Sequence, residues 1–266
     1  MSNKKNDRVR NSVRENYSRV AKDSRDSCGC SPTCCGDAHQ SLAVLTSLAM
    51  GYSVEDLNSI PESANMGLGC GNPKTISELK TGEVVLDLGA GGGLDCFLAS
   101  RQVGPDGLVI GVDMTPEMVS LSRENAENSG FTNIDFRLGE IENLPVADSS
   151  VDAILSNCVI NLSPDKQRVF DETFRVLKPT GRLAISDVVA RKELPDEILN
   201  NPDLLSGCIA GAVQVEVIER MLNQSGFSNI LISLKTESLE FIKGWSKEFS
   251  VADYVISAEI SARKPE

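Results

Sequence analysis

Val84-Val85-Leu86-Asp87-Leu88-Gly89-Ala90-Gly91-Gly92-Gly93-Leu94-Asp95 decides the fold. Its apolar start, Val84-Val85-Leu86, has the composition of a buried strand. Asp87 ends the strand, and four glycines fall within residues 89–93. From Leu94 apolar residues recur at helical spacing (Leu94, Phe97, Leu98), so a helix opens where the glycines stop. Glycine lets a backbone approach a ligand closely and take dihedrals closed to other residues. The start of the helix beyond offers unpaired N–H groups. Strand, glycine turn and helix in that order form a nucleotide-type binding loop.

Downstream the same alternation continues. The patterns predict strands at 83–88, 107–112, 133–138, 151–156 and 181–187, and helices near 93–103, 116–129 and 165–177. Two closing strands are expected at 230–235 and 254–262, with helical stretches at 193–206, 215–225 and near 237–248. The expected fold class is α/β, a doubly wound, mostly parallel, seven-stranded Rossmann-like sheet. Ahead of it, Val9, Val13, Tyr17 and Val20 mark an amphipathic helix over 6–22. A loop with Cys28, Cys30, Cys34 and Cys35, a helix over 40–50 and a Ser53–Asp56 capping box follow. Three parts are expected: 1–75, helices and a cysteine-rich loop packed on the core; 76–190, the nucleotide-binding core; 191–266, a substrate-covering segment plus closing strands.

The 266 residues suffice for a full core, and the net charge of −12 argues against a phosphate-tracking nucleic-acid binder. The amino-terminus lacks the apolar centre of an export signal, and no apolar run approaches a membrane span. A soluble, cytoplasmic, monomeric chain is expected. Its eight cysteines should then rest as thiols, free for soft ions or redox chemistry.

Residues further along the chain sharpen the role of the glycine loop. Asp113 ends the second strand, 20 residues past Gly93, where a carboxylate can meet ribose hydroxyls. Gly139-Glu140-Ile141-Glu142 follows the third strand, and Leu177-Lys178-Pro179-Thr180-Gly181 leads into the fifth. A dinucleotide enzyme would suit Asp113 alone equally well. Taken together, the order resembles class I S-adenosylmethionine-dependent methyltransferases, which usually carry a second glycine where Thr180 stands. The resemblance implies that Asp87, Gly89, Ala90 and Gly91 hold the methionine moiety, Asp113 and Met114 the ribose, and Ile141 and Glu142 the adenine. Asn157 joins this set.

Fold gives the cofactor, not the acceptor. Cys158 lies just past the fourth strand, at the carboxyl edge where doubly wound sheets bind ligands; Cys70 and Cys208 lie in glycine-flanked loops that can reach that edge. Each could instead be a small buried hydrophobe, the role assigned to Cys96. Zinc is a competitor, but the core has no C-x-x-C pair and the chain one histidine, His39. The tight spacing of Cys28, Cys30, Cys34 and Cys35 fits a structural zinc finger poorly.

G-C-G-N-P at 69–73, G-V-D-M-T-P-E-M at 111–118, S-N-C-V-I-N-L-S-P-D-K at 156–166 and G-C-I-A-G-A at 207–212 are similar to the prokaryotic arsenite methyltransferase family. The resemblance implies that Cys70, Cys158 and Cys208 bind As(III), with Cys34 or Cys35 as a further thiol. It also implies methyl transfer to arsenite or its thiol conjugates, and a thiol reductant, thioredoxin or glutathione. Leu68 stands where some relatives, notably eukaryotic ones, carry tyrosine. The competing readings are a methyltransferase of a small organic acceptor and a thiol-based metalloid sensor or buffer. The scarcity of aromatics in 190–220 argues against the organic acceptor.

Overall fold

The computed structural model describes residues 2–26, 36–201, 204, 205, 207–246 and 249–266; Cys28, Cys30, Cys34 and Cys35 lie outside them. The strands are β1 (Val84–Leu88), β2 (Leu108–Asp113), β3 (Ile134–Leu138), β4 (Val151–Asn157), β5 (Leu177–Ala190), β6 (Ser228–Lys235) and β7 (Val255–Arg263). They form one sheet in the order β3-β2-β1-β4-β5-β7-β6. Pairings from β3 through β5 are parallel, and β7 runs antiparallel to both β5 and β6. This is the expected α/β class.

Both faces of the sheet are covered, which is why β1 and β4 read as nearly continuous apolar runs. On one face the helix Leu94–Val103 buries Cys96, Phe97, Ala99 and Val103 against Val85, Val109 and Phe136. On the other, the helices Lys166–Val176 and Val215–Ser225 bring Val169, Phe170, Ile218 and Leu222 onto Leu86, Ile154 and Ile185. The chain leaves β1 toward β2 and β3, then returns to β1's other side through β4. Connections therefore diverge at the carboxyl ends of β1 and β4 and leave a crevice there.

Several boundaries differ from the sequence reading. β5 extends from Leu177 to Ala190 because β7 pairs with it from Arg182 to Ala190. Within the stretch expected to be helical over 193–206, a helix covers Asp196–Leu199, starting after Pro195 and closing at Asn200. The helix expected near 237–248 covers Ser238–Ile242, with Gly244 soon after. The first two helices run longer than their apolar periodicity, Ser2–Asp26 and Gly36–Ala49. The Ser53–Asp56 capping box forms in both directions. Thr180 sits at φ +65°, a left-handed backbone that explains why glycine suits that position.

The first helix lies over the carboxyl edge of the sheet. Val13 is fully buried there, Arg10 pairs with Glu142 (3.2 Å) and Glu140 (3.4 Å), and Arg14 with Glu140 (3.1 Å). Ser18 donates to Glu117 (2.8 Å), and Lys22 pairs with the same carboxylate (3.2 Å). The partly exposed pairs at Glu140 and Glu117 contribute little singly, so the largely buried Arg10–Glu142 pair and the buried Val13 and Ala21 carry more of the docking. Among the described residues no helix is long and apolar enough to cross a membrane.

Gly93 links the loop to the core. Its φ is +99°, and a Cβ there would lie 2.6 Å from Phe97 and 3.1 Å from Phe136. Gly93→Ala should therefore cost roughly 1–3 kcal/mol, from left-handed strain plus overpacking. Chemical denaturation measures it, and an unchanged midpoint would contradict this packing.

Candidate active site

At the crevice the structure encloses a cavity of about 360 Å³, within the range of small-molecule sites (about 300–1,000 Å³). The sequence-derived cofactor residues all reach it: Asp87, Gly89, Ala90 and Gly91 from the loop, Asp113 and Met114 after β2, Ile141 and Glu142 after β3, Asn157 at the end of β4. Asp113 accepts from the Gly91 N–H (3.0 Å) through one oxygen and from the Thr115 N–H (2.8 Å) through the other. It thus fastens the glycine loop to the next strand's end. Glu142 accepts from Arg10 and from Ser163 Oγ (2.8 Å). Gly89, at φ +70°, leaves room for Val159, which a Cβ would strike at 2.5 Å.

Four carboxylates, those of Asp87, Asp95, Asp113 and Glu142, line the cavity. Burial drives the Asp87 carboxyl well above the usual range, and the Asp95 charge beside it adds to the rise. Burial likewise raises Asp113, opposed by its two backbone donors. This lining suits a ligand carrying ammonium, sulfonium and diol groups, as S-adenosylmethionine does, and opposes the doubly charged pyrophosphate of a dinucleotide.

The sulfur side adjoins this space. Cys158 follows β4 and Cys208 follows β5; both occupy left-handed backbone, at φ +56° and +62°. Such conformations cost energy in a non-glycine residue and concentrate at functional sites. The Cys208 thiol donates to the Cys158 carbonyl at 2.6 Å, and both residues line the cavity. Cys70 and Cys158 stand 5.7 Å apart at Cα and are joined as a disulfide. This corrects the expectation that all eight cysteines rest as thiols: the two side chains face each other at a separation normal for a disulfide. One ligand atom each of Cys70, Cys158 and Asp187 falls within 4.8 Å of the others. Cys70 and Cys158 thus sit together beside Asp187, while Cys208 meets Cys158 through its carbonyl; Cys158 and Cys208 line the cavity and Cys70 does not. Burial pushes the Cys208 thiol well up, Asp187 adds to this, and Lys166 opposes it. Cys96 is buried and donates to Asp87 Oδ2 at 3.1 Å, a packing and hydrogen-bonding role.

Sequence reasoning missed several wall residues. Tyr17, Tyr52 and Trp245 bring aromatic surface from outside 190–220, so the scarcity of aromatics there does not decide the acceptor. Tyr17 lines the cavity, and burial raises its phenol, helped by the charges of Cys208, Asp113 and Asp187. Tyr52 donates to Asp95 Oδ1 at 2.7 Å, and Asn157 Nδ2 to Asp95 Oδ2 at 3.3 Å. Asp95 closes the diagnostic stretch itself, which was a usable signal; nothing in the sequence singles out Tyr52. Burial lifts Asp95 to about 6, against the two side-chain donors that lower it. The folded state then holds a proton that the unfolded chain has released, so this contribution to stability is complete below about 4 and lost as pH rises through 6. The stability of Asp95→Asn relative to the parent should rise across that window, by up to about 3 kcal/mol. Denaturation at both ends measures it, and a pH-independent difference would refute it.

Residues 79–226 match the family model described as a methyltransferase domain. The chain is 49% identical to the arsenite methyltransferase of Halobacterium salinarum, over 97% of this chain and 67% of that one. It is 43% identical to the arsenite methyltransferase of Aquipseudomonas alcaligenes, over 64% of this chain but half of the relative's length. The crystal structure of the arsenic(III) S-adenosylmethionine methyltransferase from Chlamydomonas reinhardtii superposes with a TM-score of 0.60 at 33% identity, covering 84% of this chain and 73% of that one. With this fold, an acidic cavity on the glycine loop and cysteines at its edge, the chain belongs to the arsenite methyltransferase family of class I S-adenosylmethionine-dependent enzymes.

Proposed function

We propose that this chain moves a methyl group from S-adenosylmethionine to trivalent arsenic held by the thiolates of Cys70, Cys158 and Cys208. The observation that supports this reading is that Cys158 and Cys208 line the cavity beside the glycine loop, Cys208 touching the Cys158 carbonyl and Cys70 paired with Cys158. In it, Asp87, Gly89, Ala90 and Gly91 hold the methionine moiety, Asp113 and Met114 the ribose, Ile141 and Glu142 the adenine. The donor supplies an electrophilic methyl carbon on a sulfonium. Arsenite enters as a neutral hydroxide or a thiol conjugate. Each protein thiol replaces one hydroxide, forming an S–As bond while the thiol proton leaves with the hydroxide as water. Three sulfurs then fix the arsenic with its lone pair toward the cavity, and the protein's contribution is alignment of the two reactants.

The lone pair becomes the new As–C bond as the methyl–sulfur bond of the sulfonium breaks and the neutral thioether S-adenosylhomocysteine leaves, so arsenic rises to the pentavalent state. Two of the bound cysteine sulfurs then leave as a disulfide: two As–S bonds break, one S–S bond forms, arsenic takes back two electrons and becomes trivalent, and water or a small thiol fills the vacated position as its proton leaves. Cys70 and Cys158 are positioned to form such a bond, with Cys34 or Cys35 as a further thiol. A reductant, thioredoxin or glutathione, reopens the disulfide by exchange. A soluble cytoplasmic monomer suits this chemistry, since the exchange needs a reducing compartment.

Incubation with labelled S-adenosylmethionine, arsenite and thiol should place label in anionic or volatile methylarsenicals. Label in an added quinone instead, or tight arsenite binding without turnover, would overturn the reading in favour of an organic acceptor or a sensor. Cys158→Ser should retain donor binding and lose at least about 100-fold in methyl transfer, because the acceptor is no longer aligned. Asp113→Ala should weaken donor binding by roughly 10- to 100-fold, the loss of charge-assisted hydrogen bonds, and leave arsenite binding unchanged. Calorimetry on each ligand separately decides it.

A further inference from the structure

Cys158 and Cys208 lie on different connections, one after β4 and one after β5, and nothing in their spacing forces them together. The structure shows a contact that does. Gly211, three residues past Cys208, presses its Cα against the backbone of Asn161, three residues past Cys158. A Cβ at Gly211 would overlap the Asn161 carbonyl oxygen and lie 2.9 Å from its carbon.

Asn161 is itself fixed from below. It is 3% exposed, and its amide donates to Asp187 Oδ1 at 2.8 Å and to the Val188 carbonyl at 2.6 Å. Asp187 also accepts from the Ile160 N–H at 3.1 Å and the Val188 N–H at 2.7 Å. Lys166 Nζ reaches the Asn161 carbonyl at 3.4 Å from the open side. On the opposite loop, Ile209 and Ala210 N–H groups both donate to Leu204 O, at 2.8 and 3.0 Å, and Ala190 N–H donates to Val213 O at 3.0 Å. The Cys208 loop is therefore a closed turn stitched to the end of β5, and Gly211 is where it rests on the Cys158 loop.

We infer that Gly211 and Asn161 are positioning residues that set the distance between the Cys158 and Cys208 sulfurs, and so determine whether arsenic is held by three sulfurs or two. This rests on the arsenite reading above and deepens it. A side chain at 211 displaces the Cys208 loop outward. Loss of the Asn161 amide frees the Cys158 loop from Asp187, so the backbone on which Gly211 rests can shift. Neither change replaces a residue of the glycine loop or Asp113, and the Cys158 loop meets the donor side through Val159 against Gly89 and Ser163 on Glu142, so donor binding falls less than arsenite binding.

The test uses the reduced chain with Cys28, Cys30, Cys34 and Cys35 replaced by serine, so that only the cavity sulfurs can count, loaded with arsenite. X-ray absorption at the arsenic edge reads the number of As–S bonds, and calorimetry reads arsenite and S-adenosylmethionine affinity. Gly211→Ala should lose one of three sulfurs and weaken arsenite binding by about 10- to 100-fold, as outer-shell changes at ligated sites do, with a smaller change in donor affinity. Asn161→Ala adds no bulk and should give the same loss, so it carries the test where Gly211→Ala does not fold. Three sulfurs and parental affinity in the folded variants overturn the brace alone. Failure of the unaltered serine-replaced chain to bind arsenite overturns the functional reading, and this inference with it.

Discussion

The side-chain amide of Asn157 is the tie on which the site depends. Its oxygen accepts from the Cys70 N–H at 3.1 Å, while its nitrogen donates to the Gly71 carbonyl at 2.8 Å and reaches Tyr52 and Asp95. A loop from before the sheet is thereby bonded to the end of β4, one residue from Cys158. Gly69 completes the fit: it sits at φ +130°, and a Cβ there would lie 2.9 Å from the Asn157 oxygen. Breaking the tie leaves the N–H of the buried Cys70 without the side-chain amide as its acceptor, at a cost of about 1–3 kcal/mol. Because this amide also touches Asp95, the wall of the donor cavity and the Cys70 loop share one hydrogen-bonded unit.

Electrostatics follow from the same geometry. The donor cavity concentrates carboxylates whose burial raises their pKa values, an unfavourable arrangement until a cationic ligand enters. Arg10 and Arg14 engage Glu140 and Glu142, so the first helix is held to the rim of the cavity by the carboxylates that follow β3. Asp187, lifted to about 6 by burial, instead satisfies backbone and amide donors beneath the thiols.

Local pattern carried most of the sheet. The strands β1 to β4 could be read to within a residue, because parallel strands covered on both faces are apolar throughout and end at charged or glycine positions. The glycine loop and Asp113 were legible as cavity-lining positions because a tight turn at positive φ leaves few residue choices. The cysteines could be nominated from their loops, but their meeting could not. It depends on Gly211 against Asn161 and on Asn157 against Gly69, contacts between segments far apart in sequence. Tyr52 and Tyr17 were silent as well, since a lone tyrosine near an apolar stretch looks like any amphipathic packing residue. The length of β5 escaped because its second half is stabilised by β7, an antiparallel partner that comes much later in the chain.

Anomalous diffraction at the arsenic edge, from crystals of the reduced full-length chain soaked with phenylarsine, tests the central claim most directly. The account places the arsenic peak within bonding distance of cavity sulfurs, Cys158 and Cys208 among them, with its open side toward Asp87 and the glycine loop. A peak confined to the segment of Cys28 to Cys35, or one on the far side of the sheet from β1's carboxyl end, would contradict it.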